Sequence, residues 1–170
     1  MKKITFLLSV LLIISCSATK SGGSASTKLS QRTLKGTWQV TDIRFVGEGG
    51  LYKANVFDLA DSPCFKGSEW VFIPNNGTGK FTLSDANRCD GSAHRILWSF
   101  ADQGNSTALF SFKFVDEKNK PLSGDKSGYR TSIEGLTASS FELRVNTSYE
   151  GKAFDVVMSL TKVSDEFSLY

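Results

Sequence analysis

The chain has 170 residues, with 20 Lys and Arg against 17 Asp and Glu, one His and three Cys, for a formal charge of +3. Hydrophobic residues make up 40% of it, which suits one domain with a real core. There is no basic run and no basic stripe interleaved with aromatics, so the composition speaks against a nucleic-acid partner.

Lys2 and Lys3 precede an apolar run from Ile4 to Ile14. It is too short to cross a bilayer as a helix, which takes about 20 residues, and it reads as a secretory signal. The run ends in Ile13, Ile14, Ser15 and Cys16, which resembles the lipobox of bacterial lipoproteins. That resemblance implies that residues 1–15 are removed as a lipoprotein signal peptide and that Cys16 becomes the acylated first residue, carrying chains such as palmitate. A plain signal peptide with an incidental cysteine is the alternative. Two or three acyl chains, at about 0.8 kcal/mol per buried CH₂, hold a protein on a membrane almost permanently. Ser17 is similar to the outer-membrane sorting class, so the expected location is the cell envelope, lipid-anchored at the outer membrane, with the face left open. Residues 16–33, rich in Ser and Gly, read as a flexible tether. Loss of Lys2 and Lys3 with the signal brings the formal charge down to +1.

Lipidation of Cys16 leaves Cys64 and Cys89, which are expected to pair in an oxidising compartment. Closing that loop stabilises by about 3 kcal/mol in the chain-entropy account. Two buried free thiols are the alternative.

From Leu34 to about residue 165 the apolar residues recur with a period near two, the mark of strands with one buried face. In chain order the inward sets are Trp38 and Val40; Trp70 and Phe72; Phe81 and Leu83; Ile96, Trp98 and Phe100; Phe110, Phe112 and Phe114. Then come Phe141, Leu143 and Val145, and last Phe154, Val156, Met158 and Leu160. A weaker strand is expected around Tyr129 to Ile133. Leu51 to Pro63, with Val56 and Leu59 on one side and Pro63 at its end, is expected as a short helix between the first two strands. Turn signals at Pro74–Gly77, Gly104–Asn105 and Glu150–Gly151 leave gaps that suit antiparallel hairpins. About eight such strands predict an all-β fold, an antiparallel up-and-down barrel over residues 34–165, in preference to a two-sheet sandwich, because closure removes exposed edges.

"LKGTWQV" (Leu34 to Val40) is similar to the Gly-x-Trp signature on the first strand of lipocalins. The segments "CFKGSEWVFIPNNGTGKF", "RCDGSAHRILWSF" and "FELRV" resemble the lipocalin-like lipoproteins common in Bacteroidota, and the likeness spans Leu34 to Val163. It implies a lipocalin or calycin-like barrel and an arginine covering the first-strand tryptophan, for which Arg144 over Trp38 is the candidate.

Constellations for chemistry are sparse. His94 is the single histidine, too few for the usual triad or catalytic zinc, and no metal site or cofactor is expected. "NGTGKFT" lacks the first glycine and the hydroxyl residue of a phosphate loop, whose places are taken by Pro74 and Phe81. Asp116, Asn119 and Asp125 do not have calcium-loop spacing. Asp42, Glu69 and Glu142 are single carboxylates on strand faces, so no catalytic residue is assigned and no enzyme is expected. What remains is the aromatic interior, with Trp70, Phe72, Phe81, Trp98, Phe100, Phe110, Phe112, Phe141, Phe154 and Met158 as candidate ligand-binding residues. Such a lining serves a small apolar or amphipathic ligand, and equally a filled core. The expected function is therefore non-catalytic ligand binding by a membrane-anchored barrel. The alternative is a scaffold or accessory subunit of an outer-membrane protein assembly with a filled barrel.

Overall fold

The computed structural model describes residues 29–47, 54–86, 89–122 and 128–167. Residues 1–28, with the signal peptide, Cys16 and most of the tether, lie outside the described residues. A 3-10 turn at Gln31–Leu34 leads into β1 (Gly36–Gly47), which is followed by a small insert made of β2 (Asn55–Val56), β3 (Ala60–Asp61) and a second 3-10 turn at Ser62–Phe65. The chain continues through β4 (Glu69–Ile73), β5 (Thr78–Thr82), β6 (Ala93–Gly104) and β7 (Thr107–Phe114). It ends in β8 (Tyr129–Glu134), β9 (Ser140–Tyr149) and β10 (Lys152–Ser164).

Each strand from β4 to β10 pairs antiparallel with the next, β10 pairs with β1, and β1 returns to β4, so the sheet is a closed eight-stranded barrel. This is the expected architecture, and closure leaves no long open edge for other chains to pair with. The register brings the alternate apolar residues to one side: Trp38 lies beside Trp70, Trp70 beside Phe81, Trp98 beside Phe112, and Met158 beside Leu143. Leu34, Trp38, Trp70, Phe72, Phe81, Ile96, Phe110, Ile133, Leu143 and Met158 are fully buried in one continuous core.

The two ends of the barrel differ. At one end the N-terminal 3-10 turn packs Leu34 under the strands, and Trp38 Nε1 donates a 2.8 Å hydrogen bond to the Leu34 carbonyl. Gly36, the glycine of Gly-x-Trp, has φ of 115°, and a Cβ there would collide with the Ser164 carbonyl of β10. Only glycine takes that conformation without strain and lets the two strands approach so closely. This end is sealed by the barrel's own strands and first turn.

At the opposite end, the mouth, the insert between β1 and β4 does the covering. The short helix expected over Leu51 to Pro63 is not present. Residues 51–53 lie outside the described residues, and the rest forms the β2–β3 hairpin and the 3-10 turn with Pro63 near its start. Phe57 and Asp58 have φ of 58° and 49°, values that no right-handed helix accommodates, and the Leu59 N–H closes the turn on the Val56 carbonyl at 3.1 Å.

The Cys64–Cys89 disulfide is present, tying the second 3-10 turn to the loop after β5. The insert is further pinned by Gly67 N–H to the Val40 carbonyl (2.8 Å), Val40 N–H to the Ser68 carbonyl (3.0 Å) and Ser84 N–H to the Cys64 carbonyl (3.0 Å).

Candidate functional site: the aromatic interior and its mouth

The inward residues of the strands meet along the axis. Trp70 stacks on Phe81 at 4.3 Å between ring centres, and Phe72 stands edge-on to Trp98 and Phe110, both at 5.6 Å. Trp38 stands edge-on to Phe141 at 4.8 Å, and Phe72 reaches Phe141 at 6.4 Å, so rings from β1, β4, β7 and β9 join across the interior. These separations are those of ring pairs in ordinary packing contact. Met158 fills the space beside them and is fully buried. Phe154, nearer the mouth, packs on Phe45 at 6.1 Å, and Phe100 is partly buried against the core.

Three polar side chains of the strand wall and its flank are satisfied. Trp98 Nε1 donates to the Thr78 carbonyl at 2.7 Å, Trp70 Nε1 to Ser68 Oγ at 3.0 Å, and Thr131 Oγ1 to the Phe110 carbonyl at 3.1 Å. An occupant of the interior would therefore meet rings and aliphatic groups rather than unpaired donors.

Among the described residues, two rings of this interior, Phe57 and Phe65, come from the insert and not from the alternating strand pattern. Phe65 is fully buried and touches Phe81 at 5.9 Å. Phe57, at the tip of the β2–β3 hairpin, is 5% exposed and stands edge-on to Phe112 (4.8 Å), Tyr129 (5.3 Å), Phe65 (5.6 Å) and Trp70 (6.4 Å). It closes the mouth from above. A positive φ at a bulky aromatic is uncommon and costs of order 1–3 kcal/mol, whereas the neighbouring Asp58 tolerates it more readily. The same insert holds a second cost: Ser62 is 1% exposed, and its Oγ is buried with no hydrogen-bond partner. An unsatisfied buried hydroxyl costs about 1–3 kcal/mol.

Beside the hairpin the wall is thin. The β8–β9 ladder covers only Ser132–Glu134 against Glu142–Arg144, although β8 pairs with β7 along its whole length and β9 with β10. Towards the mouth a cleft of about 180 Å³ lies between the hairpin and these two strands, lined by Asn55, Phe57, Asp58, Tyr129, Val145 and Thr147 among others.

The polar candidates fall elsewhere. His94 lies at the rim between Phe81 (5.3 Å) and Phe114 (5.6 Å), and its Nε2 is 2.6 Å from Ser92 Oγ, which donates to Asp90 at 2.8 Å. With its one proton given to Asp90, the Ser92 hydroxyl accepts from His94. That is the reverse of what an activated nucleophilic serine needs. Burial lowers the His94 pKa, partly offset by the Asp90 charge, and the Ser92 backbone and hydroxyl donors lower that of Asp90.

Asp116 Oδ1 accepts from the backbone N–H of Lys118 and of Lys120, both at 2.8 Å, so that carboxylate organises its own loop; Asp125 lies outside the described residues. Asp42 pairs with Lys66 at 3.2 Å and Glu142 with Arg44 at 2.6 Å on the outer wall. Among the described residues no group of three or more His, Cys, Asp and Glu is placed to hold a metal ion.

Arg144 does not cover Trp38. It lies on the outer wall, where it grips Glu134 through Nε (2.6 Å) and Nη2 (3.0 Å) and reaches Asp155 at 2.8 Å. The hydrogen bond from Arg144 holds the Glu134 carboxyl below its ordinary range. The cation over Trp38 is Lys162 of β10, with Nζ 5.0 Å from the ring centre.

The fold and this interior define a closed antiparallel β-barrel with an aromatic core and a mouth covered by an inserted hairpin. No protein-family model matches the chain, and no curated protein matches it.

Proposed function

We propose that the chain is a lipocalin-like lipoprotein, anchored to the outer membrane through Cys16, that binds a small apolar or amphipathic molecule among the rings at the barrel mouth without chemical conversion. The observation that carries this reading is the asymmetry of the barrel: one end is sealed by Leu34, Trp38 and the strands themselves, while the rings at the other are covered by an inserted hairpin outside the barrel's own strands. Stacking and area burial supply the affinity for such a ligand. The test is titration of the mature chain carrying Cys16→Ser with the fluorescent fatty acid dansylundecanoate. Saturable binding at one molecule per chain is expected, and a linear, non-saturating response counts against the reading. Anchoring has its own test: wild-type chain incorporates labelled palmitate and sediments with membranes, and Cys16→Ser does neither.

A second reading is favoured by the ring contacts that cross the inner half of the barrel, Trp38 to Phe141 and Phe72 to Phe110 and Phe141. A filled core of this kind makes a rigid scaffold for an outer-membrane protein assembly. It predicts no probe binding together with a stoichiometric outer-membrane partner recovered after crosslinking in intact cells.

A further inference from the structure

We propose that the mouth holds a ligand site for a flat aromatic group or the end of an acyl chain, and that Phe57 occupies this site in cis and must leave before ligand binds. The proposal rests on the carrier reading and deepens it by naming the site, the class of ligand and the gate.

The ring of Phe57 is held as a ligand would be. It lies in the turn between β2 and β3, outside both strands, and Phe65, Trp70, Phe112 and Tyr129 surround it with ring planes at 65–82° to its own. A ring enclosed by four aromatics whose planes cross its own lies in a cage that suits another planar aromatic of the same size. The seated state also stores costs that release would remove. Phe57 would leave its positive φ, and the Ser62 hydroxyl would reach water. A route lies alongside, because the β8–β9 ladder stops at Ser132 and Arg144, and Phe57 itself lines the cleft beside Asn55, Asp58, Tyr129 and Val145. What opposes release is the packing of Phe57 itself and the clamp at the base of the insert, where Cys64–Cys89 and the Ser84 to Cys64 hydrogen bond hold the 3-10 turn down. Binding then has two steps, hairpin release and ligand uptake, and apparent affinity is the intrinsic affinity scaled by the fraction of open molecules.

The experiment measures binding of N-phenyl-1-naphthylamine by fluorescence, at equilibrium and by stopped flow, on the mature chain carrying Cys16→Ser. Into that background are placed Phe57→Ala, Cys64→Ser with Cys89→Ser, and Ser62→Ala. Wild-type hairpin is expected to bind weakly, with an observed rate that reaches a plateau as probe concentration rises. Phe57→Ala and the double cysteine variant should each tighten binding by tenfold or more and raise the plateau. Ser62→Ala, which makes the seated state more favourable, should weaken binding several-fold.

The cysteine and Ser62 variants leave every lining ring in place, so their opposite shifts report the gate rather than a cavity made by mutation. If the cysteine variant fails to fold, Ser62→Ala carries the test alone. Equal affinities throughout would overturn the gate and leave the carrier reading standing. Binding by Phe57→Ala alone would also overturn the gate, as an engineered hole. Silence from all the proteins would remove the carrier reading and the gate with it.

Discussion

Lys162 Nζ sits 5.0 Å above the centre of the Trp38 ring, while its other contact is the carboxylate of Asp165 at 2.9 Å. The pair joins the last barrel strand to the first at the sealed end, and Trp38 in turn holds the Leu34 carbonyl. The lysine side chain is 18% exposed, so its charge over the ring is partly shielded from water. Replacement by Met should cost about 1 kcal/mol, from the cation–ring attraction, and Lys162→Arg should cost less than that. Trp38→Phe should cost more, about 3 kcal/mol, because it removes packing volume and leaves the buried Leu34 carbonyl unpaired. Urea unfolding followed by circular dichroism checks the order; a neutral Lys162→Met would show that the contact carries no stability.

Gly36→Ala is expected to be severe for a change of one methyl. The backbone there is left-handed, and the new Cβ would meet the Ser164 carbonyl, a backbone atom that cannot turn aside. Either β1 shifts or β10 moves outward, and both disturb the register around Trp38. A loss of about 2–4 kcal/mol is expected. Gly135→Ala is the control, since φ is also positive there, at 60°, but nothing lies within 4 Å of the added carbon. It should cost about 1 kcal/mol. Thermal unfolding of the two variants side by side separates collision from conformation.

The strands are legible because a half-buried strand alternates, and Trp70, Phe72, Phe81, Trp98, Phe110 and Phe112 follow that rule, although Val71 between the first two is buried as well. Phe57 and Phe65 are not, for a physical reason. They reach the interior from an insert whose strands are two residues long and whose turn uses Phe-Asp at positive φ, where Asn-Gly is the usual signal. Val56 and Leu59 suggested a helical spacing only because a tight turn also brings residues three apart together. Position in a late strand does not by itself identify the cation over Trp38. Alternation along β9 turns Arg144 outward beside the inward Leu143, whereas β10 continues past Leu160 for one more inward residue, and that residue is Lys162. What sequence leaves open by nature is whether rings pointing at one axis touch, since that depends on barrel width and on what the insert adds.

Arg144 should act as the keystone of the outer wall across β8, β9 and β10. Its single charge is shared between Glu134 and Asp155, and Asn146 also donates to Asp155. Arg144→Gln should cost about 1 kcal/mol at low salt and less at high salt, the discount that partial exposure imposes on such pairs. Because the hydrogen bond from Arg144 lowers the Glu134 pKa, the wild-type contribution is present above the ordinary carboxyl value of 4.5 and is lost as pH falls through the lowered one. The wild-type and Arg144→Gln stability curves should therefore converge as pH falls below 4.5 and through the lowered value, and curves that stay parallel through the whole acid titration would remove the ion pair as the cause.

His94 should make the barrel sensitive to mild acid. Its pKa is lowered from 6.5 mainly by burial between Phe81 and Phe114, with Asp90 pulling the other way. The unfolded chain therefore binds the His94 proton more readily than the folded one. Stability is complete above the unfolded value and falls as pH drops through 6.5 toward the lowered folded value, where the slope ends. Asp90 adds to the loss only at more acid pH, since its own pKa is depressed below 3.8. The mouth is where the effect is expected: Phe81 packs on Phe65, and Phe65 on Phe57, so the cost of a charged, half-buried His94 bears on the rings that seat the hairpin. His94→Phe should flatten the stability curve between pH 7 and pH 5, and the wild-type protein should take up an apolar probe more readily at the lower pH. Measuring both on the same samples is the check, and a wild-type curve already flat over that range would rule His94 out as the titrating group.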